Sequence, residues 1–220
     1  MKKAKYIDHT YLKAFATESD IEKLCQEAIE HDFHSVCINP CWIELAKRKL
    51  AGSDVKVCTV IGFPLGANQT QVKAYETEEA VAFGADEIDM VMNVGAAKSG
   101  RWDIVQRDME AVVKASKGVL VKVIIENCYL SVEEMKMACK IVMESGADFV
   151  KTSTGFGDYG ARFKDVKIMK AVVGDRIMIK AAGGVRTPED FDKMIEMGVM
   201  RIGTSSGTAL IQGNESDSAY

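Results

Sequence analysis

Apolar and polar positions along this chain of 220 residues follow two periods in alternation. Eight short runs, Tyr6–Thr10, Ser35–Asn39, Val55–Gly62, Glu87–Asn93, Val119–Glu126, Asp148–Thr152, Ile177–Ala181 and Met200–Thr204, are apolar over most of their length. That continuity predicts parallel strands covered by helices, because a solvated antiparallel sheet leaves every second residue polar. Between the runs the period lengthens. Ile21, Leu24, Cys25, Ala28 and Ile29 fall at i, i+3, i+4, i+7 and i+8, and Met135, Ala138, Cys139, Val142 and Met143 repeat the spacing, which is the stripe a helix buries against a sheet. The methionines there are core filler. Thr17 with Asp20, Ser131 with Glu134, and Thr187 with Pro188 and Asp190 supply helix starts.

Strand and helix patterns repeat without a Gly/Ser-rich linker and with only three prolines, so the expected architecture is one α/β domain, a single-domain (β/α)8 TIM barrel over residues 1–212. The last residues, 213–220, are small and polar up to Tyr220 and read as a flexible tail. A weak internal repeat sharpens the barrel. Gly84, Gly146 and Gly198 each suit the position after a helix end, and each precedes by five residues a chemically special position, Asp89, Lys151 and Gly203. Five extended residues carry the chain from the bottom of a barrel toward the C-terminal strand ends, where barrel active sites are built.

Composition narrows the chemistry. An apolar share of 47% with 27% charged residues suits an ordinary folded core. A net charge of −4 without a basic stripe argues against nucleic acid and anionic membrane as partners, so an anionic ligand must be held locally. Six cysteines lie in strand-like or helix-like patterns, and no apolar leader precedes the first strand, so buried thiols in a reducing cytoplasm are expected. Cys37 and Cys41 stand at C-x3-C spacing, but no second pair follows, and no metal site is read from them.

Lysine is costly in a buried strand, yet Lys122, Lys151 and Lys180 all lie in strand candidates. Two lysines at the ends of adjacent strands lower one another's pKa, and burial lowers it again, which prepares an amine to attack a carbonyl. The runs Gly183-Gly184 after the seventh strand and Gly203-Thr204-Ser205-Ser206 after the eighth can present backbone N–H groups to phosphate. Asp89 is the best-placed acid–base partner, and Asp8 is either a second one or a structural carboxylate. His9 should point away from Asp8, and His31 and His34 should lie on the surface.

Seven segments in order, Ile-Asp-His-Thr at 7–10, Val-Cys-Ile-Asn-Pro at 36–40, Val-Ile-Gly-Phe-Pro-Leu-Gly at 60–66, Gly-Ala-Asp-Glu-Ile-Asp at 84–89, Val-Lys-Thr-Ser-Thr-Gly-Phe at 150–156, Lys-Ala-Ala-Gly-Gly-Val-Arg at 180–186 and Gly-Thr-Ser-Ser at 203–206, resemble the deoxyribose-phosphate aldolases. The resemblance implies a class I aldolase without cofactor or metal. Such an enzyme would reversibly cleave 2-deoxy-D-ribose 5-phosphate to D-glyceraldehyde 3-phosphate and acetaldehyde. Lys151 would form the Schiff base, Lys180 would tune it, and Asp89 would move protons. Gly183, Gly184, Gly203, Ser205, Ser206 and Thr154 form the expected substrate and phosphate set, with Asp8, Thr10, Cys37 and Tyr220 as supporting residues. A homodimer or homotetramer is implied. Two departures stand out: Ala14, where a proline is common, and the stretch 157–163, which lacks the usual small, Thr-containing loop. The rival readings are another lysine-dependent phosphate-binding barrel, such as a transaldolase, and a barrel reduced to ligand binding.

Overall fold

The strand-like runs close on themselves. In the computed structural model, which describes residues 2–215, the strands β1 (Ile7–Tyr11), β2 (Ser35–Ile38), β3 (Lys56–Ile61), β4 (Glu87–Val91), β5 (Leu120–Ile124), β6 (Phe149–Lys151), β7 (Met178–Ala182) and β8 (Arg201–Thr204) form one closed barrel in sequence order. Every neighbouring pair is parallel, including β1 with β8. All eight expected strands are present, with ends shifted by one or two residues where the chain turns out of the ladder.

The helices are α1 (Glu18–Glu30), α2 (Ile43–Lys49), α3 (Thr70–Ala82), α4 (Val94–Lys98), α5 (Trp102–Ala115), α6 (Val132–Glu144), α7 (Phe163–Val173), α8 (Pro188–Glu196) and α9 (Gly207–Ile211). Their starts follow the sequence signals. Thr17 and Ser131 form reciprocal capping boxes with Asp20 and Glu134, and the Thr187 side chain accepts from the Asp190 N–H. Of the expected stripes, Ile21, Leu24, Cys25 and Ala28 in α1 and Met135, Ala138, Cys139 and Val142 in α6 are buried. Ile29 is exposed instead, since the helix turns that edge to solvent in its last turn, one residue before its end.

At Gly84 and Gly198 the backbone is left-handed, and the N–H groups of the glycine and its successor return to the last turn of the helix. These stops launch β4 and β8 from the barrel bottom, five residues before Asp89 and Gly203. Outside the strands, between sheet and helices, lies a continuous aliphatic core including Val123, Val150, Ile179 and Ala181. The barrel interior is different: it is filled largely by charged side chains. No helix among the described residues is long and apolar enough to cross a membrane.

Candidate active site

Alternation along a strand turns every second side chain to the same face, and on the inner face this gathers Asp8, Ser35, Cys37, Cys58, Glu87, Asp89, Lys122, Lys151, Lys180 and Arg201. Register brings them within reach: Asp89 pairs with Lys122 across β4 and β5, and Lys151, Lys180 and Arg201 stand abreast on β6, β7 and β8.

Asp89 is the hub. Its Oδ2 meets Lys151 Nζ and Lys180 Nζ, each at 2.7 Å, while its Oδ1 meets Lys122 Nζ at 2.8 Å and accepts from the Cys58 thiol at 3.1 Å. The carboxylate is fully buried. Burial alone would raise its pKa, but Lys122, Lys151 and Lys180 hold it well below the usual carboxylate range. Lys180 bridges to a second carboxylate, with Nζ 2.5 Å from Asp8 Oδ2. Here one expectation is corrected. Burial would lower the Lys180 ammonium, but Asp8 and Asp89 outweigh it, so it is pushed up, not down.

Below this layer sits another that the sequence reading passed over. Arg201 joins Asp8 Oδ1 at 2.7 Å and Glu87, Lys122 joins Glu87 at 2.6 Å, and Ser35 donates to Asp8 at 2.8 Å. Burial pushes against ionised Glu87, yet Lys122, His34 and Arg201 hold its carboxyl far below normal. Asp8 therefore takes part in a structural charge network. His34 is corrected from the surface to a half-buried position, its Nε2 3.1 Å from Glu87 Oε1. His9 does point away from Asp8, as alternation requires, and reaches Glu27 at 2.7 Å outside the barrel. Glu87 and Arg201 were legible in principle, since each lies two residues before a residue already singled out, on the same face of its strand.

The remaining expected residues divide. Thr10 is buried and donates to the Asp8 carbonyl at 2.8 Å. Cys37 is buried beside Cys58 and Asp89, with three metal-type donor atoms within 4.8 Å of one another. The ammonium groups of Lys122, Lys151 and Lys180 already surround the Asp89 member of that trio, and their charge opposes a divalent cation there. Cys25, Cys58 and Cys139 are buried too, whereas Cys41 is exposed and Cys128 half-buried, because each follows a strand end on a short 3-10 turn. Thr154 is buried against the Glu126 carboxylate, which accepts from both its N–H and its hydroxyl, and does not line the cavity between the loops after β6, β7 and β8. Burial raises the pKa of that Glu126 carboxyl.

The cavity itself, about 450 Å³, opens where the loops after β6, β7 and β8 meet. Gly183, Gly184, Gly203 and Ser205 line it as expected, together with Arg186. Gly183 and Gly184 both adopt positive φ, 67° and 77°, which a side chain would oppose. Ser206 stands immediately before α9, next to this wall, its N–H donating to the Thr204 hydroxyl at 3.1 Å. The unusual stretch 157–163 proves to be the opposite wall. The Ala161 N–H donates to the Ala182 and Gly183 carbonyls, Gly160 lies so close to Gly183 that a Cβ would overlap its backbone, and the Arg162 guanidinium stacks 3.4 Å over the Tyr159 ring. Tyr220 lies outside the described residues.

A buried lysine–carboxylate hub beside a glycine-walled anion cavity is equipped to hold a phosphorylated carbonyl compound with an amine at its reacting end. Comparison with known proteins agrees. The family model described as DeoC/LacD family aldolase matches residues 2–213. A deoxyribose-phosphate aldolase of Staphylococcus carnosus is 58% identical over 220 residues, covering all of both chains. Among solved structures, an aldolase called QR15 shares 42% identity with a TM-score of 0.92, over 96% of this chain and 95% of its own. The tetrameric deoxyribose phosphate aldolase of Aeropyrum pernix shares 31% identity with a TM-score of 0.89, over 96% of this chain and 89% of its own.

Proposed function

The chain belongs to the DeoC/LacD family of aldolases, and from that premise we propose that it is a deoxyribose-phosphate aldolase in which Lys151 forms the Schiff base. The observation that carries this reading is Asp89 Oδ2 shared at 2.7 Å by Lys151 and Lys180. Of the two, Lys180 is ion-paired to Asp8 as well, whereas Lys151, the last residue of β6, is ion-paired to Asp89.

In the synthetic direction the neutral Lys151 amine attacks the carbonyl carbon of acetaldehyde, and loss of water gives the iminium. Removal of a proton from the adjacent carbon yields the enamine, the iminium nitrogen taking up the electron pair. The enamine carbon then attacks the aldehyde of D-glyceraldehyde 3-phosphate, and water releases the product and restores the amine. Lys180 and Asp89, working through water, carry protons to and from the reacting atoms. The cavity between Gly160, Gly183, Gly184, Gly203 and Ser205 holds the phosphate, with Ser206 at its edge and Arg186 supplying charge. Thr154 acts through Glu126, and Thr10, Asp8 and Cys37 support the hub.

Three further assignments rest on sequence and family. The protein works in the cytoplasm as a homodimer or homotetramer, a reading favoured by the tetrameric Aeropyrum pernix relative. The folded domain spans 1–212. Residues 213–220 form a tail whose Tyr220 assists proton transfer at the enamine carbon, so deleting Tyr220 should slow proton exchange into acetaldehyde while imine formation persists. The function itself is tested by mixing the protein with 2-deoxy-D-ribose 5-phosphate and measuring released acetaldehyde. Wild type should release it, and Lys151→Ala should lose roughly 10⁴-fold or more of that rate with its fold intact. No release by wild type, or an unimpaired Lys151→Ala, would refute the assignment.

A further inference from the structure

Three lysines converge on Asp89, and the chemistry above uses two. The third, Lys122, is fully buried and contacts both carboxylates of β4, Glu87 Oε2 at 2.6 Å and Asp89 Oδ1 at 2.8 Å. With the Cys58 thiol it fills the Oδ1 side of Asp89, which leaves Oδ2 turned to Lys151 and Lys180. It therefore fixes which oxygen the reacting end of the site receives.

Its charge matters as much as its position. Among the ion-paired side chains that the strands project inward, Asp8, Glu87 and Asp89 are the acids, and Lys122, Lys151, Lys180 and Arg201 the bases; Glu126, just past β5, stands outside this set, its carboxyl pushed up by burial toward the neutral form. Lys122, Lys180 and Arg201 balance the three carboxylates, so Lys151 is left over, and the cluster is neutral when Lys151 is neutral. The groups facing Lys122 are Asp8 from β1, Cys58 from β3, Glu87 and Asp89 from β4 and Lys180 from β7. Those facing Lys151 are Asp89, Lys180 across the register, Cys37 from β2, and Glu126 just past β5. His34 reaches the set only through Glu87.

We infer that Lys122 is a positioning residue of the reaction: it orients Asp89 and supplies the third positive charge that lets Lys151 stand uncharged at the reacting end. The inference rests on Lys151 being the Schiff-base lysine. Removing Lys122 makes the cluster neutral only when Lys151 keeps its proton, and the nucleophile is then suppressed at neutral pH. Removing the charge of Glu87 does the reverse.

The experiment follows borohydride trapping of acetaldehyde on the intact protein, read by mass, as a function of pH, with folding checked by circular dichroism. In Lys122→Met the rising limb of the trapping profile should move at least about one pH unit to the alkaline side, a loss of about tenfold near neutrality that recovers at higher pH. Lys122→Arg should keep the wild-type limb, and Glu87→Gln should move it toward acid. Opposed shifts cannot come from general loosening of the barrel, which lowers trapping at every pH. A folded Lys122→Met with an unmoved limb overturns the inference. If Lys122→Met does not fold, an unmoved limb in Glu87→Gln or a shifted one in Lys122→Arg overturns it equally. Failure of the wild type to trap any ethyl group would instead overturn the proposed function, and this inference with it.

Discussion

The barrel interior and the rim cavity solve opposite electrostatic problems with opposite materials. Around Asp89 the contacts are three lysine ammonium groups and the Cys58 thiol, all projected from strands, buried, and already paired before substrate arrives. At the rim glycines make much of the wall: Gly160 lies against the Gly183 backbone and Gly184 against Ala161, so that loops approach closely there. The interior must hold its charges in fixed proportion, because an unmatched ion in a dry site is expensive. If the rim binds the phosphate as proposed, it must instead accept a charge from solution, and donors at its surface can be hydrated until the anion replaces the water. Substitution inside should therefore damage folding and chemistry together, whereas substitution at the rim should alter recognition and little else.

The largest effect expected from that contrast is at the hub. Asp89→Asn leaves Lys122, Lys151 and Lys180 facing one another without their shared carboxylate, and breaking a buried ionic network of this kind costs roughly 3–5 kcal/mol. Urea unfolding should show the loss directly, along with abolished cleavage. A variant of wild-type stability would mean that the interior charges are not interdependent, and the comparison would fail at its first half.

The rim offers the next effect. Ser206→Glu places a carboxylate at the edge of the anion cavity, and should raise KM for the phosphorylated sugar by about tenfold or more, the scale of one unfavourable charge contact. The same variant should leave KM for the unphosphorylated sugar unchanged, since repulsion has no phosphate to act on. Equal losses on both substrates would put the phosphate elsewhere.

Most of the architecture was legible because period and punctuation agreed. The strand runs, the capping residues Thr17 and Ser131, and the glycines before Asp89 and Gly203 are local signals, each fixed by backbone chemistry within a few residues. The charged interior was legible only in part. Lys151, Lys180 and Asp89 stand out one at a time as ionisable residues in apolar strands. That Lys122 shares Asp89 with them, or that Arg201 spans from β8 to Glu87 on β4, depends on register across the closed barrel, which no single segment records. The sign of the Lys180 shift was missed for the same reason. Its like-charged neighbour is visible in the sequence pattern, whereas the proximity of Asp8, from the far end of the chain, is not.

A smaller effect is the response of stability to pH. Asp8, Glu87 and Asp89 have folded pKa values below their unfolded ones. Their contribution is therefore fully present above the unfolded value of about 4, and is lost as pH falls through the lower folded values. Lys180 and Arg201 are raised, so theirs is fully present below the unfolded values, about 10 or higher, and is lost as pH rises through the folded ones. Urea midpoints for this network should be level between roughly pH 5 and 9 and decline below pH 4, with a shallower decline in Asp89→Asn. Midpoints that stay level down to pH 3 would contradict the assignment of these carboxylates as paired only in the folded state.

The central claim is that one lysine of the three on Asp89 is the nucleophile, while Lys180 moves protons and Lys122 serves as fixed charge. Treating the wild-type protein with acetaldehyde and borohydride, then digesting it and locating the added ethyl group by peptide mass, asks this directly. The account predicts the ethyl group on Lys151, with Lys122 and Lys180 unmodified. An ethyl group on Lys180 or Lys122, with Lys151 untouched, would contradict it.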